Sequence, residues 1–180
     1  VYKRQVQGIY SAPGKAVKEA YDSAGVVAND RGITVWLKGN RVSRNQIMAI
    51  KEESVTDQKN SLTVCLDNIL RHAGITRNTE YDLAQGKTAI QILEENMTGV
   101  QVLDLSGCSL DAVLYYVNQD IPVLAILEDG EAVLVTGFNE FNVVIMEPST
   151  GKLYKKGMND ATTWFAENGN HFISYMKIEN

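Results

Sequence analysis

The 180-residue chain is 44% hydrophobic and 22% charged, a composition that argues against disorder and coiled coil, and its length suits one buried core better than two. A formal charge of -5, with no basic run beyond Lys3-Arg4 and Lys155-Lys156, disfavours nucleic-acid binding. Apolar runs such as 122–127 and 132–135 fall far short of the about 20 residues that cross a bilayer.

The chain opens Val1-Tyr2-Lys3-Arg4-Gln5, with neither methionine nor an apolar signal region, and so reads as a processed form or a fragment. A strand is expected over Gln5 to Tyr10, then a helix that starts after Ser11-Ala12-Pro13, carries Val17, Ala20 and Tyr21, and stops at Gly25. Val26-Val27 and Ile33 to Leu37 flank Asn29-Asp30-Arg31-Gly32 as a hairpin. Ser43 and Gln46 resemble a capping box for a helix bearing Ile47 and Ile50. The polar run Lys51 to Ser61 reads as a flexible connector, so that residues 1–60 form an N-terminal extension and 61–177 the main domain.

Leu62, Cys65, Leu66, Ile69, Leu70 and Ala73 make one helical stripe that Gly74 ends. Thr88 and Gln91 form a capping pair for a helix with Ile90, Leu93 and Met97 on one face. A short strand over Val100 to Leu105 precedes a helix over Ser109 to Asn118, and three strands follow, PVLAILE, EAVLVTGF and NVVIME. Asn159-Asp160 introduce a last helix with Trp164 and Phe165, and His171 to Met176 form a closing strand. Helices gathered before strands point to an α+β domain.

The stretch from Cys108 to Pro148, with a helix, three strands, the segment EAVLVTGF and then Glu147-Pro148, resembles the C-terminal half of the C39-like, papain-like bacterial cysteine peptidases. In that family a catalytic histidine opens the strand of an H-A-V-x-V-x-G-[YF] segment, and an aspartate precedes a proline one strand later. Glu131 falls on the histidine position and Glu147 on the aspartate position. The resemblance covers roughly Ser61 to Lys177 and implies a papain-like fold with N-terminal helices and a mainly antiparallel C-terminal sheet. It also implies a peptide or protein partner, and a bacterial protein that is exported or attached to the envelope.

A thiol peptidase needs a thiolate at a helix start, an imidazole base, a group orienting that base, and donors for the oxyanion. The resemblance makes Cys65, in SLTVCLDNIL, the nucleophile candidate, although its place on the apolar stripe fits core packing equally. The family's oxyanion glutamine lies six residues before its cysteine. Here that position is Lys59, and Gln58 lies one further away.

A carboxylate with an ordinary pKa of about 4.3 is a poor base for a thiol of about 8.5, and a carboxylate near the thiol raises the latter's pKa. His72, seven residues after Cys65, would lie about 10 Å along the helix axis and cannot serve it. His171 opens the last strand without a family role. The carboxylates Glu131 and Glu147 invite a glycosidase reading, but no aromatic sugar platform accompanies them. Cys108 has no histidine placed for it, and two cysteines with two histidines make a poor disulfide or zinc set. No cofactor is expected. The sequence thus favours an inactive peptidase-like binding domain, with an active thiol peptidase using Cys65 and another base as the alternative.

Overall fold

The computed structural model describes residues 6–23, 25–38 and 48–179. Helix α1 (Pro13–Ser23) leads to a hairpin of β1 (Val26–Ala28) and β2 (Thr34–Leu37). Three helices follow, α2 (Ser61–His72), α3 (Glu80–Ala84) and α4 (Ala89–Asn96), then strand β3 (Val100–Asp104) and helix α5 (Leu110–Asn118). Strands β4 (Val123–Ile126), β5 (Ala132–Phe138), β6 (Asn142–Glu147) and β7 (Lys152–Gly157) precede α6 (Met158–Glu167) and β8 (His171–Lys177).

The main sheet has the order β3-β8-β4-β5-β6-β7, and every pairing in it is antiparallel. The three strands read from the motif are therefore sequential neighbours, as expected. The arrangement is less segregated than helices first and sheet afterwards, because β3 precedes α5 and α6 interrupts the strands. All seven residues of β5 are buried. Since successive side chains leave opposite faces, the sheet is covered on both sides there, and α2 and α5 both pack on β5.

Local chemistry explains most boundaries. Asn60 caps α2 by accepting from the Thr63 amide at 2.9 Å, and Gly74 follows the helix at φ +86°, a conformation open to glycine at little cost. Both bonds of the Thr88–Gln91 capping box are present. Ser109 caps α5. Between β4 and β5 the amide of Gly130 donates to the Leu127 carbonyl and Gly130 takes φ +85°, the left-handed step that a short hairpin loop requires.

The N-terminal elements join the same core. Val17, Val35 and Trp36 are buried in it. Trp36 Nε1 donates to the Ala112 carbonyl at 3.0 Å, and the Tyr116 hydroxyl donates to the Val35 carbonyl at 2.8 Å. These bonds tie the hairpin to α5 and leave neither polar tip unpaired.

Two expectations need correction, a third falls on residues that are not described, and two elements carry no sequence signal strong enough to read. Residues 6–10 form no strand. The capping box at Ser43 and Gln46, with Ile47, lies outside the described residues, and Ile50 sits in an irregular segment. The run from Lys51 to Asn60 has no regular structure, yet it is pinned to the sheet. The Val55 amide donates to the Pro148 carbonyl at 3.1 Å, the Leu153 amide donates to Glu52 Oε1 at 3.2 Å, and Met48 donates to the Thr136 carbonyl at 3.2 Å. Its composition looked like linker because its partners are backbone groups distant in sequence. Finally, α3 and β7 were not anticipated: α3 spans only five residues, and β7 is a lysine-bearing edge strand, a means of blunting an open edge that masks strand character.

Candidate functional site

The start of α2 meets the start of β5 at Ser61. Ser61 is the first residue of α2 and is 2% exposed. Its Oγ accepts a 2.8 Å hydrogen bond from the amide of Ala132. Extending the β5–β6 register, in which Leu134 faces Met146, would set Pro148 opposite Ala132. The Pro148 carbonyl is instead taken by the amides of Val55 and Gly151. Ser61 supplies the acceptor that the sheet no longer provides.

Cys65 is not at the helix start. It is the fifth residue of α2, one turn beyond Ser61, and is fully buried. Burial pushes its thiol well above the ordinary range, and the charge of Glu131 raises it further. The favourable field of a helix N-terminus fades after the first turn, so nothing offsets these two effects. Of the two readings of Cys65, burial and the raised thiol fit core packing.

Glu131 is exposed and immediately precedes β5. Its amide donates to Asp129 Oδ1 at 2.9 Å and its carbonyl accepts from the Leu127 amide at 2.8 Å, which fixes the backbone at the strand entrance. Because Ser61 bonds the very next residue and Glu131 acts electrostatically on Cys65, helix start, thiol and carboxylate share one locality.

Glu147 ends β6 and is half-buried. Its carboxylate accepts from Thr150 Oγ1 at 3.3 Å, and its charge contributes, after burial, to raising the Tyr154 hydroxyl. The same register extension sets Glu147 opposite Val133, hence on the sheet face shared with Glu131, as its diagonal neighbour.

Gln58 is exposed in the loop before α2, and its amide donates to Thr56 Oγ1 at 3.3 Å. Its neighbour Lys59 has the tighter role. Lys59 Nζ lies 3.0 Å from Asp67 Oδ2 and 3.5 Å from Glu53 Oε1. Asp67 is buried, with Oδ1 accepting from both the amide and the hydroxyl of Thr79 at 2.8 and 2.9 Å. Its Oδ2 has no well-aligned hydrogen bond, and at 3.0 Å the ammonium is its ion-pair partner. The Asp67 carboxylate beside it is the main reason the Lys59 pKa is raised.

Neither histidine joins this site. His72 Nε2 contacts the Asp120 carbonyl at 2.9 Å at the far end of α2. His171 is exposed at the start of β8, opposite Ile126. Cys108 is buried, donates to the Gly14 carbonyl at 3.4 Å, and is pushed up to about 11, mainly by burial. Among the described residues no cluster of three or more His, Cys, Asp or Glu could hold a metal, and no helix is long and apolar enough to cross a membrane.

The residue that sequence reasoning passed over is Ser61. Asn60 was the available signal, as a favoured N-cap type. Taking it as the cap starts the helix at Ser61 rather than near Leu62 and moves attention from Cys65 to the first turn.

No family model matches the chain. No curated protein matches it either. Among solved structures the chain is similar to a C39-like peptidase from Bacillus anthracis, with a TM-score of 0.59 and 16% identity, covering 76% of this chain and 100% of that one. It also matches a double glycine motif protease from an AMS/PCAT transporter, solved in complex with the leader peptide, with a TM-score of 0.47 and 13% identity over 74% of this chain and 94% of that one. The fold is thus α+β, with helices on an antiparallel sheet, and resembles the C39-like, papain-like architecture.

Proposed function

We propose that this chain is a catalytically silent peptidase-like domain that binds a peptide or protein. One observation carries the reading: the helix-start position beside the Glu131 strand holds a serine whose hydroxyl is committed to the Ala132 amide. Acyl transfer needs a nucleophile and a base within hydrogen-bond reach. Here the helix-start side chain is a hydroxyl, the group at the strand entrance is a carboxylate, and the nearest thiol is a buried core residue with a raised pKa. Ser61 at 2% exposure also offers no face to a scissile bond. Among the described residues His72 bonds the Asp120 carbonyl, His171 lies opposite Ile126, and neither imidazole is hydrogen-bonded to Ser61, Cys65 or Glu131, which speaks against the alternative of a Cys65 peptidase with another base. The resemblance carries with it an exported or envelope location in a bacterium, which fractionation of the source cells would test.

The decisive experiment is a broad peptide-cleavage screen of the wild-type chain, Ser61→Ala and Cys65→Ala, with binding of the same peptides followed by fluorescence polarisation. Silence predicts no cleavage dependent on either residue, together with saturable binding of some peptides. Cleavage that disappears in either variant would overturn the proposal.

A further inference from the structure

The sheet end that carries Glu131 and Glu147 continues across three more strands. With the order β3-β8-β4-β5-β6 and antiparallel pairing throughout, the end of β3, the start of β8 and the end of β4 all lie at that same edge. There the surface opens into a groove of about 530 Å3, within the range of about 300–1,000 Å3 typical of ligand sites. Ile126, Leu127 and Ile173 line it with apolar groups. Leu127 and Ile173 are only 9% and 7% exposed, so they form its floor. Asp104, Glu128 and His171 are exposed along its wall.

The charges of this groove are unbalanced. Asp104 Oδ1 accepts from the amide and hydroxyl of Ser106 at 3.0 and 2.6 Å, which fixes the carboxylate without neutralising it. Glu128 uses its amide on Asn168 Oδ1 at 3.2 Å. Among the described residues no Lys or Arg forms an ion pair with either carboxylate, although elsewhere Asp67 pairs with Lys59 and Asp82 with Arg77 and Lys87. An arginine or lysine side chain combines an apolar stem with a cationic head. It would cover the apolar floor and bring its charge to the acidic wall, with a guanidinium able to bond a carboxylate through two N–H groups.

Resting on the peptide-binding reading above, we infer that this groove takes a basic side chain of a bound peptide, making the domain selective for arginine- or lysine-bearing segments. Continuity with the acidic edge at Glu131 and Glu147 favours an extended peptide over an isolated small cation.

The test uses the full chain and two fluorescein-labelled hexapeptides, one alternating leucine with arginine and the other leucine with citrulline, with spermidine as a small-cation control. The arginine peptide should bind about tenfold more tightly. The double variant Asp104→Asn, Glu128→Gln, which keeps the Ser106 acceptor and alters only exposed groups, should remove that preference. Methyl resonances of Ile126 and Ile173 should shift with the arginine peptide. Equal affinity for both peptides would overturn the groove assignment while leaving peptide binding intact. Absence of binding by either peptide would overturn both readings, and spermidine binding without peptide binding would overturn the peptide as occupant.

Discussion

The Ala132 amide donates to Ser61 Oγ across 2.8 Å, joining the first turn of α2 to the strand entrance where the resemblance would set a catalytic base. The bond satisfies a buried amide whose register partner, the Pro148 carbonyl, is engaged elsewhere. Ser61→Ala should therefore destabilise the fold by about 1–3 kcal/mol, the cost of an unsatisfied buried donor. Urea unfolding measures it directly. A change under about 0.5 kcal/mol, the usual effect of a surface substitution, would mean that the hydroxyl is dispensable.

Lys59 and Asp67 tie the pre-helix loop to α2. Lys59→Met would leave Asp67 buried with only its Thr79 hydrogen bonds, at a cost of about 3 kcal/mol. The companion change Asp67→Asn should couple strongly to it in a double-mutant cycle. Additive losses would show that the ammonium and carboxylate act independently.

The two thiols set a pH dependence. In the unfolded chain they titrate near about 8.5. In the folded chain Cys65 stays protonated well beyond its ordinary range, and Cys108 does so to about 11. Between those values only the unfolded chain loses thiol protons, so rising pH favours unfolding. The stability contributed by the neutral buried thiols is complete below about pH 8.5 and declines above it. Denaturant midpoints at pH 7.5 and 9.5 should show the loss, and Cys65→Ala with Cys108→Ala should flatten it. Native alkylation at pH 8 should be slow and limited by unfolding.

Most of the main sheet was legible because its signals are local. The Thr88 and Gln91 capping box, the Gly74 stop and the continuous apolar run in EAVLVTGF each need only a few neighbouring residues. The pinned loop from Glu52 to Asn60 depends on partners distant in sequence, Pro148 and Leu153, and periodicity carries no trace of them. Cys65 misled for a physical reason. A small thiol suits the helix interior and a helix-start nucleophile equally in composition, and only the cap at Asn60 separates them.

Gly14 offers a test of how tightly the N-terminal helix seats on the sheet. A Cβ built there would stand 2.8 Å from the Ser106 carbonyl oxygen and 3.1 Å from that of Asp104, both backbone atoms that cannot swing away. Gly14→Ala should cost about 1–3 kcal/mol by overpacking, despite the better helix propensity of alanine. A neutral or stabilising result by thermal unfolding would show that α1 shifts freely on β3.

Installing both missing groups separates chemistry from access. In Ser61→Cys with Glu131→His, the new thiol lies in the first turn of α2, where the helix field favours a thiolate, and an imidazole replaces the carboxylate that opposes one. Thiolate absorbance should then titrate below about 8.5, whereas Ser61→Cys alone, still beside Glu131, should titrate above the double variant. Peptide turnover should remain absent in both, because position 61 is 2% exposed, the loop from Glu52 to Asn60 is held across the neighbouring strands, and a reactive pair without substrate access cannot form the near-attack geometry that acyl transfer requires. Turnover by the double variant would show that the cleft opens in solution and that the silence proposed for the natural chain lies in its side chains alone.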